Sequence, residues 1–536
     1  MTCCNNPETM KNQTRTLATT LLLSTSLILN ASDWDQWRGP NRNGVLPNSP
    51  KLADVWSTDG PPKLWESDPI PGNDMGGHGS AVASGDKVFM SVVWHTDVPT
   101  PTRTVNSLVM RKLGQQRLSG VPPEIVAELE QTVFNMSARI RGSKLDALAD
   151  AWIEKNLDKK QKINFSGYIK SRFKKGKKNI PFADFDTLNK VYDKPFPNHD
   201  TFTAWVDQQE FSDTVRTLII KAVPPTKRIA KDTIVCVSLK TGKILWRAEA
   251  PGEPKGRSCS STPAVADGFV YGIGSTHLYC VNAESGAIRW ASKVKRKGVG
   301  SSPIVVDGVV VVHANTITAY DAKTGTEKWA HDKLRVLNSS PVVWNKNGQN
   351  YVISHTRDAL VAMDPQSGKV QWSIVAGGDC TPAISGDILT VQCKKETLGF
   401  IAVQLTTAGA KQLWSHPFEA RRTQASPIID GDVTYLIDNS IAYCHELKTG
   451  KIIWQEKVQA AITSPVMADG KFFIITDRGN NLTMYKPTRE KLTELGKTRI
   501  KALQCPSPCV TDGYVVLRQL DKLVCYDITE GAVRSN

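Results

Sequence analysis

No run in this 536-residue sequence reaches the roughly 18–20 apolar residues that a membrane helix requires. No Cys-x-x-Cys-His motif occurs, so no haem is attached in the c-type manner. The glycine-rich stretch "GNDMGGHGS" (72–80) lacks the spacing of a phosphate-binding loop and reads as a flexible crossing. The nine histidines are scattered, and no paired carboxylates of a polysaccharide-cleaving enzyme can be named. Acidic residues are in deficit, 52 against 67 Lys and Arg, which leaves a net charge of +15. That balance favours anionic partners such as polysaccharide, nucleic acid or lipid headgroups, although no motif points to a specific nucleic acid.

What is present is a repeat. A small hydroxyl residue, a proline and an apolar run recur at "STPAVADG" (261–268), "SSPIVVDG" (301–308), "SSPVVWNKNG" (339–348), "TPAISGD" (381–387), "SPIIDGD" (426–432), "SPVMADG" (464–470) and "SPCVTDG" (507–513). "GSAVASGD" (79–86) is an eighth copy, with Ala81 at the proline position. A second marker follows in most units, as in "DAKTGTEKWA" (321–330): a Thr/Ser-Gly turn and then a tryptophan. The spacing of roughly 40 residues is that of one four-stranded propeller blade. Proline at a strand start costs no ladder bond, Asp-Gly turns the chain, and the last strand carries the tryptophan. Trp65, Trp246, Trp290, Trp329, Trp372, Trp414 and Trp454 are expected to wedge between neighbouring blades. The seventh unit, "KLTELGKTRI", has no tryptophan.

The expected fold class is all-β: an eight-bladed β-propeller of four-stranded blades closed by an N-terminal strand, with a helical insertion in the first blade. The last unit stops just past Gly531 with three strands, and "PPKLWESDPI" (61–70) is the natural donor of the fourth. The expected organisation is a signal peptide at 1–31 (Met10 being an alternative start), an extension at 32–64, the propeller at 65–96 and 232–536, and the insertion at 97–231. Within the insertion, "PPEIVAELEQTVF" (122–134) and "SKLDALADAWIEKNL" (143–157, capped by Ser143 and Asp146) read as helices. "DTFTAWVDQQEFSDTVRTLIIKAV" (200–223) adds one or two more, and "KSRFKKGKK" (170–178) reads as a basic surface loop.

Cys236, Cys280, Cys444 and Cys525 each stand six residues before a turn glycine, where other units have Ala319 and Ala362. A slot shared by Cys and Ala is a small core position, not a metal site. Six residues before a strand-start proline stand Arg257, Lys297, Arg335 and Arg421. A ring would gather these loops on one face, so the four are the candidate collar for an anionic ligand.

The turn-and-tryptophan motif on this period resembles the docking repeat of the pyrroloquinoline quinone (PQQ) repeat propellers, over about 65–96 and 232–536. "DWDQWRGPNRNGV" (33–45) is similar to a segment preceding such propellers in exported bacterial proteins, planctomycete ones among them. The superfamily holds quinoprotein alcohol dehydrogenases and non-enzymatic relatives, including an outer-membrane assembly lipoprotein, so fold alone assigns no activity. The resemblance to the dehydrogenases implies PQQ, a calcium ion held by Glu and Asn, an Asp base and an adjacent-cysteine ring. The only adjacent cysteines here are Cys3 and Cys4, and no Asp/Glu/Asn set can be matched position by position. No catalytic residue, metal ligand or cofactor is therefore assigned. The expectation is an exported, periplasmic or cell-surface, non-catalytic propeller that binds a protein or an anionic polysaccharide. The alternative is a PQQ- and Ca2+-dependent dehydrogenase of an alcohol or sugar.

Overall fold

The computed structural model describes residues 33–72, 75–254, 260–295, 300–336, 338–418, 424–438, 440–460, 464–503 and 505–532. Eight four-stranded antiparallel sheets follow one another along the chain, each ordered from an inner to an outer strand. They are the blades of a propeller. Blade 3 is typical, with strands Ile304–Val306, Val309–His313, Ile317–Asp321 and Glu327–His331. Its first turn places both Asp307 (φ 49°) and Gly308 (φ 72°) in the left-handed region. That is the two-residue hairpin geometry an Asp-Gly pair favours. Blade 8 takes its outer strand from the other end of the chain: Lys63–Glu66 pairs antiparallel with Leu523–Asp527, Trp65 opposite Cys525. No helix among the described residues is long and apolar enough to cross a membrane.

The tryptophans dock each blade onto the next. The indole N–H groups of Trp65, Trp246, Trp290, Trp329, Trp372, Trp414 and Trp454 donate to Leu239, Ala283, Ala322, Pro365, Thr406, Leu447 and Thr488 carbonyls, at 2.7–3.1 Å. Each acceptor lies at the end of the following blade's third strand, next to its turn. In every blade the outer strand also carries a β-bulge at the residue before this position. A bulge re-aims the next side chain, here out of its own sheet and against the neighbour. The position paired with each tryptophan must be small. It is Cys236, Cys280, Ala319, Ala362, Ala402, Cys444 or Cys525. Burial pushes the Cys236, Cys444 and Cys525 thiols up to about 12, so they stay protonated packing groups.

Blade 7 solves its missing tryptophan from outside. Gly496 occupies the docking slot, opposite Met484. Trp56, from the N-terminal extension, lies over it: a Cβ at Gly496 would sit 2.8 Å from Trp56 Cβ. Trp56 is 5 % exposed and its ring stands 6.1 Å from Phe473.

Blade 1 carries the large insertion. Its second and third strands, Lys87–Pro99 and Thr226–Ser238, pair over their whole length, from Lys87 opposite Ser238 to Pro99 opposite Thr226. Residues 97–99 and 226–231, expected in the helical segment, are thus strand. The alternation of exposed and half-buried residues in "TKRIAK" (226–231) is the signal for it. Seven helices sit on this stalk: α1 (Ser107–Leu113), α2 (Pro123–Asn135), α3 (Ser143–Asn156), α4 (Lys159–Lys175), α5 (Phe182–Asn189), α6 (His199–Asp207) and α7 (Asp213–Ala222). α2, α3 and α4 share one core around Leu129, Trp152 and Phe173; α1, α5, α6 and α7 share another around Phe202, Leu188 and Ile219. Gly142, not Ser143 or Asp146, caps α3, and no side chain bonds to its first turn.

The basic run 170–178 is not a loop. It forms the end of α4 and a 3-10 turn. Lys170 pairs with Asp150 and Lys174 with Asp146. Arg172 is buried, its guanidinium against Glu130 and the Ile180 carbonyl. Lys170, Arg172 and Lys174 thus hold the insertion together, while Lys175, Lys177 and Lys178 are exposed.

The turn glycines give a test of tryptophan docking. Gly308 and Gly325 have the same backbone conformation (φ 72° and 74°), but only Gly325 is overlaid by a tryptophan, with Trp290 ring atoms 2.6 Å from its would-be Cβ. Gly308→Ala should cost about 1–2 kcal/mol, the left-handed penalty alone. Gly325→Ala should cost about 1–3 kcal/mol more through overpacking, read from denaturant unfolding. Equal costs would show that the indole does not dock as described.

Candidate functional site: a stoppered channel and the funnel above it

The hydroxyl residue before each strand-start proline closes a ring around the channel. Ser80 N–H donates to Thr262 Oγ1 (2.8 Å), Thr262 N–H to Ser302 Oγ (3.1 Å), and Ser302 N–H to Ser340 Oγ (2.9 Å). Ser340 continues to Thr381 (2.8 Å), Thr381 to Ser426 (3.3 Å) and Ser426 to Ser464 (3.1 Å). Ser507 N–H returns to Ser80 Oγ (2.9 Å), and Ser507 Oγ closes the remaining gap by donating to the Ser464 carbonyl (3.1 Å). All eight are at most 4 % exposed. The residue that follows is proline in seven blades and has no N–H of its own. The hydroxyl residue's amide is therefore the donor that burial leaves needing an acceptor, and the neighbour's short hydroxyl reaches it.

The N-terminal extension runs through this channel. Trp34 and Ala83 of blade 1 exchange two backbone bonds of 3.0 Å, and Val265 N–H of blade 2 donates to Asp35 O at 2.7 Å. On the other side Leu46 N–H donates to Met467 O of blade 7, and Met467 N–H to Gly44 O. Between these anchors two arginines turn inward, 0 % and 1 % exposed. Arg42 donates to the carbonyls of Ser302 (3.0 Å), Pro341 (3.1 Å) and Pro303 and to Gln36 Oε1 (3.1 Å). Arg38 donates to Asn43 O (3.0 Å) and to Pro427 O. The guanidinium groups thus satisfy carbonyls of the strand starts in three blades. Burial pushes Arg38 down to about 10 and Arg42 down to about 9, so both remain cations at neutral pH. Burial and the nearby Asp33 carboxylate push Asp35 up to about 6. Gly44 (φ 83°) has the Arg38 guanidinium 2.6 Å from its would-be Cβ, so the chain can pass there only as glycine.

The stopper divides the channel into two cavities. The upper one, a funnel of about 260 Å³, has half-buried Trp37 among its lining residues, together with Thr262, Ser302, Ser340, Thr381 and Ser464 of the hydroxyl ring. Its wall is formed by residues two before seven of the ring hydroxyls: His78, Ser260, Gly300, Asn338, Asp379, Gln424 and Cys505. His78 N–H donates to Ser260 Oγ (3.0 Å). Burial raises the Asp379 carboxyl, and Lys394 opposes the shift. Within the glycine-rich stretch, Gly76 and Gly79 are tied down by a buried arginine. Arg518, 3 % exposed, donates to the carbonyls of Gly76 and Gly79, both at 2.9 Å. The lower cavity, of about 700 Å³, lies below the stopper against the inner strands of blades 3–5.

Of the candidate collar, Arg257, Lys297 and Arg421 lie outside the described residues. Arg335 is exposed; the Asp332 carboxyl is held low chiefly by its hydrogen bond to Lys295, to which Arg335 adds. Among the described residues no group of three or more His, Cys, Asp or Glu is placed to hold a metal ion, and no disulfide joins the described cysteines. The described funnel lining offers one carboxylate, Asp379, and no ammonium or guanidinium group. That set does not fit a tricarboxylate quinone with its calcium ion. Sequence reading missed the hydroxyl ring and the stopper. The hydroxyl before each proline and the two arginines of "WRGPNR" were the visible traces.

A family model described as the outer membrane protein assembly factor BamB matches residues 230–456 and 347–535, together more than half of the chain. The chain belongs to this PQQ-repeat family. Tetrathionate hydrolase of Acidithiobacillus ferrooxidans is 26 % identical over 234 residues, 38 % of this chain and 45 % of that protein, so the match spans less than half the length of that relative. BamB of Moraxella catarrhalis is a structural neighbour with TM-score 0.45 and 14 % identity, over 55 % of this chain and 88 % of BamB. The quinohemoprotein alcohol dehydrogenase of Comamonas testosteroni gives TM-score 0.41 and 13 % identity, over 55 % and 72 %. The PQQ-repeat family thus sets the ring of blades, while the stopper and funnel belong to the description of this chain.

Two expectations follow. Arg42→Ala leaves strand-start carbonyls without donors, and each such buried group costs about 1–3 kcal/mol. The denaturation midpoint should fall sharply, whereas Arg335→Ala on the rim should shift stability by about 0.5 kcal/mol or less. The second concerns pH. Burial holds His313, His355 and His445 down to about 4. His313 donates from Nδ1 to the Ser339 carbonyl and accepts from Ser354 at Nε2, which fixes the neutral tautomer. Below the unfolded value near 6.5 the unfolded chain binds protons that the folded one refuses, so stability falls as pH drops from about 6.5 to 4. Asp35, and through smaller shifts Asp184, Asp232, Asp379 and Asp430, work in the opposite sense, whereas His277 and His416, also held down by burial, add to the three histidines with the large shifts. Urea midpoints taken across that range should decline, and a flat profile would contradict these buried neutral rings.

Proposed function

We propose that the protein is an exported, non-catalytic propeller that binds an acidic surface of a partner protein through its funnel face and helical insertion. The carrying observation is the stopper: the chain's own residues Trp34–Leu46 occupy the channel, with Arg38 and Arg42 bonded to the strand starts. The funnel left above it lacks the charged groups a quinone and calcium would need among its described residues. The insertion adds to the same side. Second strands run toward the funnel face, so the insertion, which leaves blade 1 between its second and third strands, rises there. A Cβ at Gly167 of α4 would sit 3.7 Å from the Arg478 guanidinium of blade 7. The net charge of +15 supports an acidic partner, and so does the collar expected from the sequence at Arg257, Lys297, Arg335 and Arg421, of which Arg335 is the described member. Export rests on the leader read at 1–31, which lies outside the described residues.

Equilibrium dialysis with PQQ and Ca2+, followed by dye-linked oxidation of ethanol and glucose, separates this reading from a dehydrogenase. The expected result is neither saturable quinone binding nor dye reduction. Saturable binding with turnover would replace the proposal by the quinoprotein reading.

A further inference from the structure

The second residue after each strand-start proline holds an equivalent place on the inner edge of its blade. Three of these positions show what the channel does with an extended chain. Ala83 and Trp34 exchange backbone bonds, Val265 N–H donates to Asp35 O (2.7 Å), and Met467 bonds to Gly44 and Leu46. The stopper is therefore a peptide held by inner-strand edges of blades 1, 2 and 7.

Val305, Val343 and Ile384 are the same positions in blades 3, 4 and 5. All three line the lower cavity of about 700 Å³, all are half-buried, and none has a cross-channel backbone partner among the described residues. Their pairing partners within the blade are Val310, Val352 and Leu389, in the register that joins Val265 to Val270. Since the Val265 N–H points into the channel in that register, so do theirs. The rest of the wall suits a polypeptide. Asn41 and Asn43 of the stopper and Asn345 and Asn350 of blade 4 line it above an apolar wall that includes Val306 and Trp344. Asn345 donates to Asn350 (2.9 Å), Asn350 to Asp307 (2.8 Å) and Asn43 accepts from Val45 (3.0 Å), which leaves each amide further donor or acceptor capacity. The volume lies in the usual range of about 300–1,000 Å³ for ligand sites.

We infer that the lower half of the channel is a second binding site, which takes an extended peptide segment of a partner protein and pairs its backbone with the free inner edges of blades 3–5, as the stopper does on blades 1, 2 and 7. Strand addition to an open edge is a general mode of peptide capture: backbone bonds supply affinity and the flanking pockets supply selectivity. The site opens on the face opposite the funnel, because first strands run away from the hydroxyl ring toward their Asp-Gly turns. It rests on the channel geometry alone, so the quinone experiment leaves it untouched.

A displayed random-peptide library panned against the full chain provides the probe. Selected peptides, made synthetically, should bind the wild-type chain and lose about tenfold in affinity for Val343→Pro, which deletes one channel-facing N–H and leaves the ladder to the second strand intact. A second measurement needs no variant. In hydrogen exchange on the free protein the Val305 and Val343 amides should exchange much faster than those of Ala83, Val265 and Met467, and bound peptide should slow them. Failure to select a peptide, or peptides that leave these amides and the Val343→Pro affinity unchanged, overturns the inference. Protection of the same amides by an oligosaccharide but by no peptide overturns the ligand class.

Discussion

A backbone amide buried at the axis of a ring must find an acceptor, and the next blade must supply it. The ring of eight hydroxyl residues from Ser80 to Ser507 is this protein's answer, and the blade geometry depends on it. Each bond crosses from one blade to the next, so the spacing of inner strands is set locally, eight times. The tryptophans perform the same service at the periphery, where an indole N–H reaches the neighbour's turn. Inner and outer fastenings together leave each blade few ways to sit. This explains how a large chain holds one shape with small cores between blades instead of one central core.

The ring also creates a need. Proline and hydroxyl residues at the strand starts carry carbonyls that face the channel, and none of the blades can satisfy them all. Arg38 and Arg42 bring several donors each on a planar group, which suits clustered carbonyls better than a lysine would. Both arginines sit at positive φ (65° and 52°). That backbone strain persists because the surrounding bonds over-determine it. The stopper is thus part of the fold's polar satisfaction, and it decides where ligands can go. It leaves a polar funnel on one face and an edge-lined cavity on the other.

The N-terminal extension has three roles in sequence order. Residues 34–46 fill the axis, Trp56 covers the glycine that replaces blade 7's tryptophan, and Lys63–Glu66 completes blade 8. One continuous segment therefore ties blades 1, 2, 7 and 8 together. The helical insertion follows a different logic. It buries its own two cores and pairs half of its basic run internally, Lys170, Lys174 and Arg172 with Asp150, Asp146 and Glu130.

The ring of blades, its closing strand and the tryptophan wedges were legible in the chain alone, because each rests on a local pattern repeated at fixed spacing. Asp-Gly makes a hairpin wherever it stands between two apolar runs, and a Cys-or-Ala slot opposite a tryptophan is visible from sequence offsets. The glycine at blade 7 was visible only as a missing residue. Nothing nearby in sequence says that Trp56, hundreds of residues earlier, lies over it. The same holds for Arg38 and Arg42: nothing local marks them as buried until the closed ring supplies carbonyls from blades 3, 4 and 6. Local turn and pairing energetics thus determined the blades from sequence. Which groups meet across the channel was decided only by closure of the ring, since buried polar satisfaction is a property of the assembled axis and not of any segment in it.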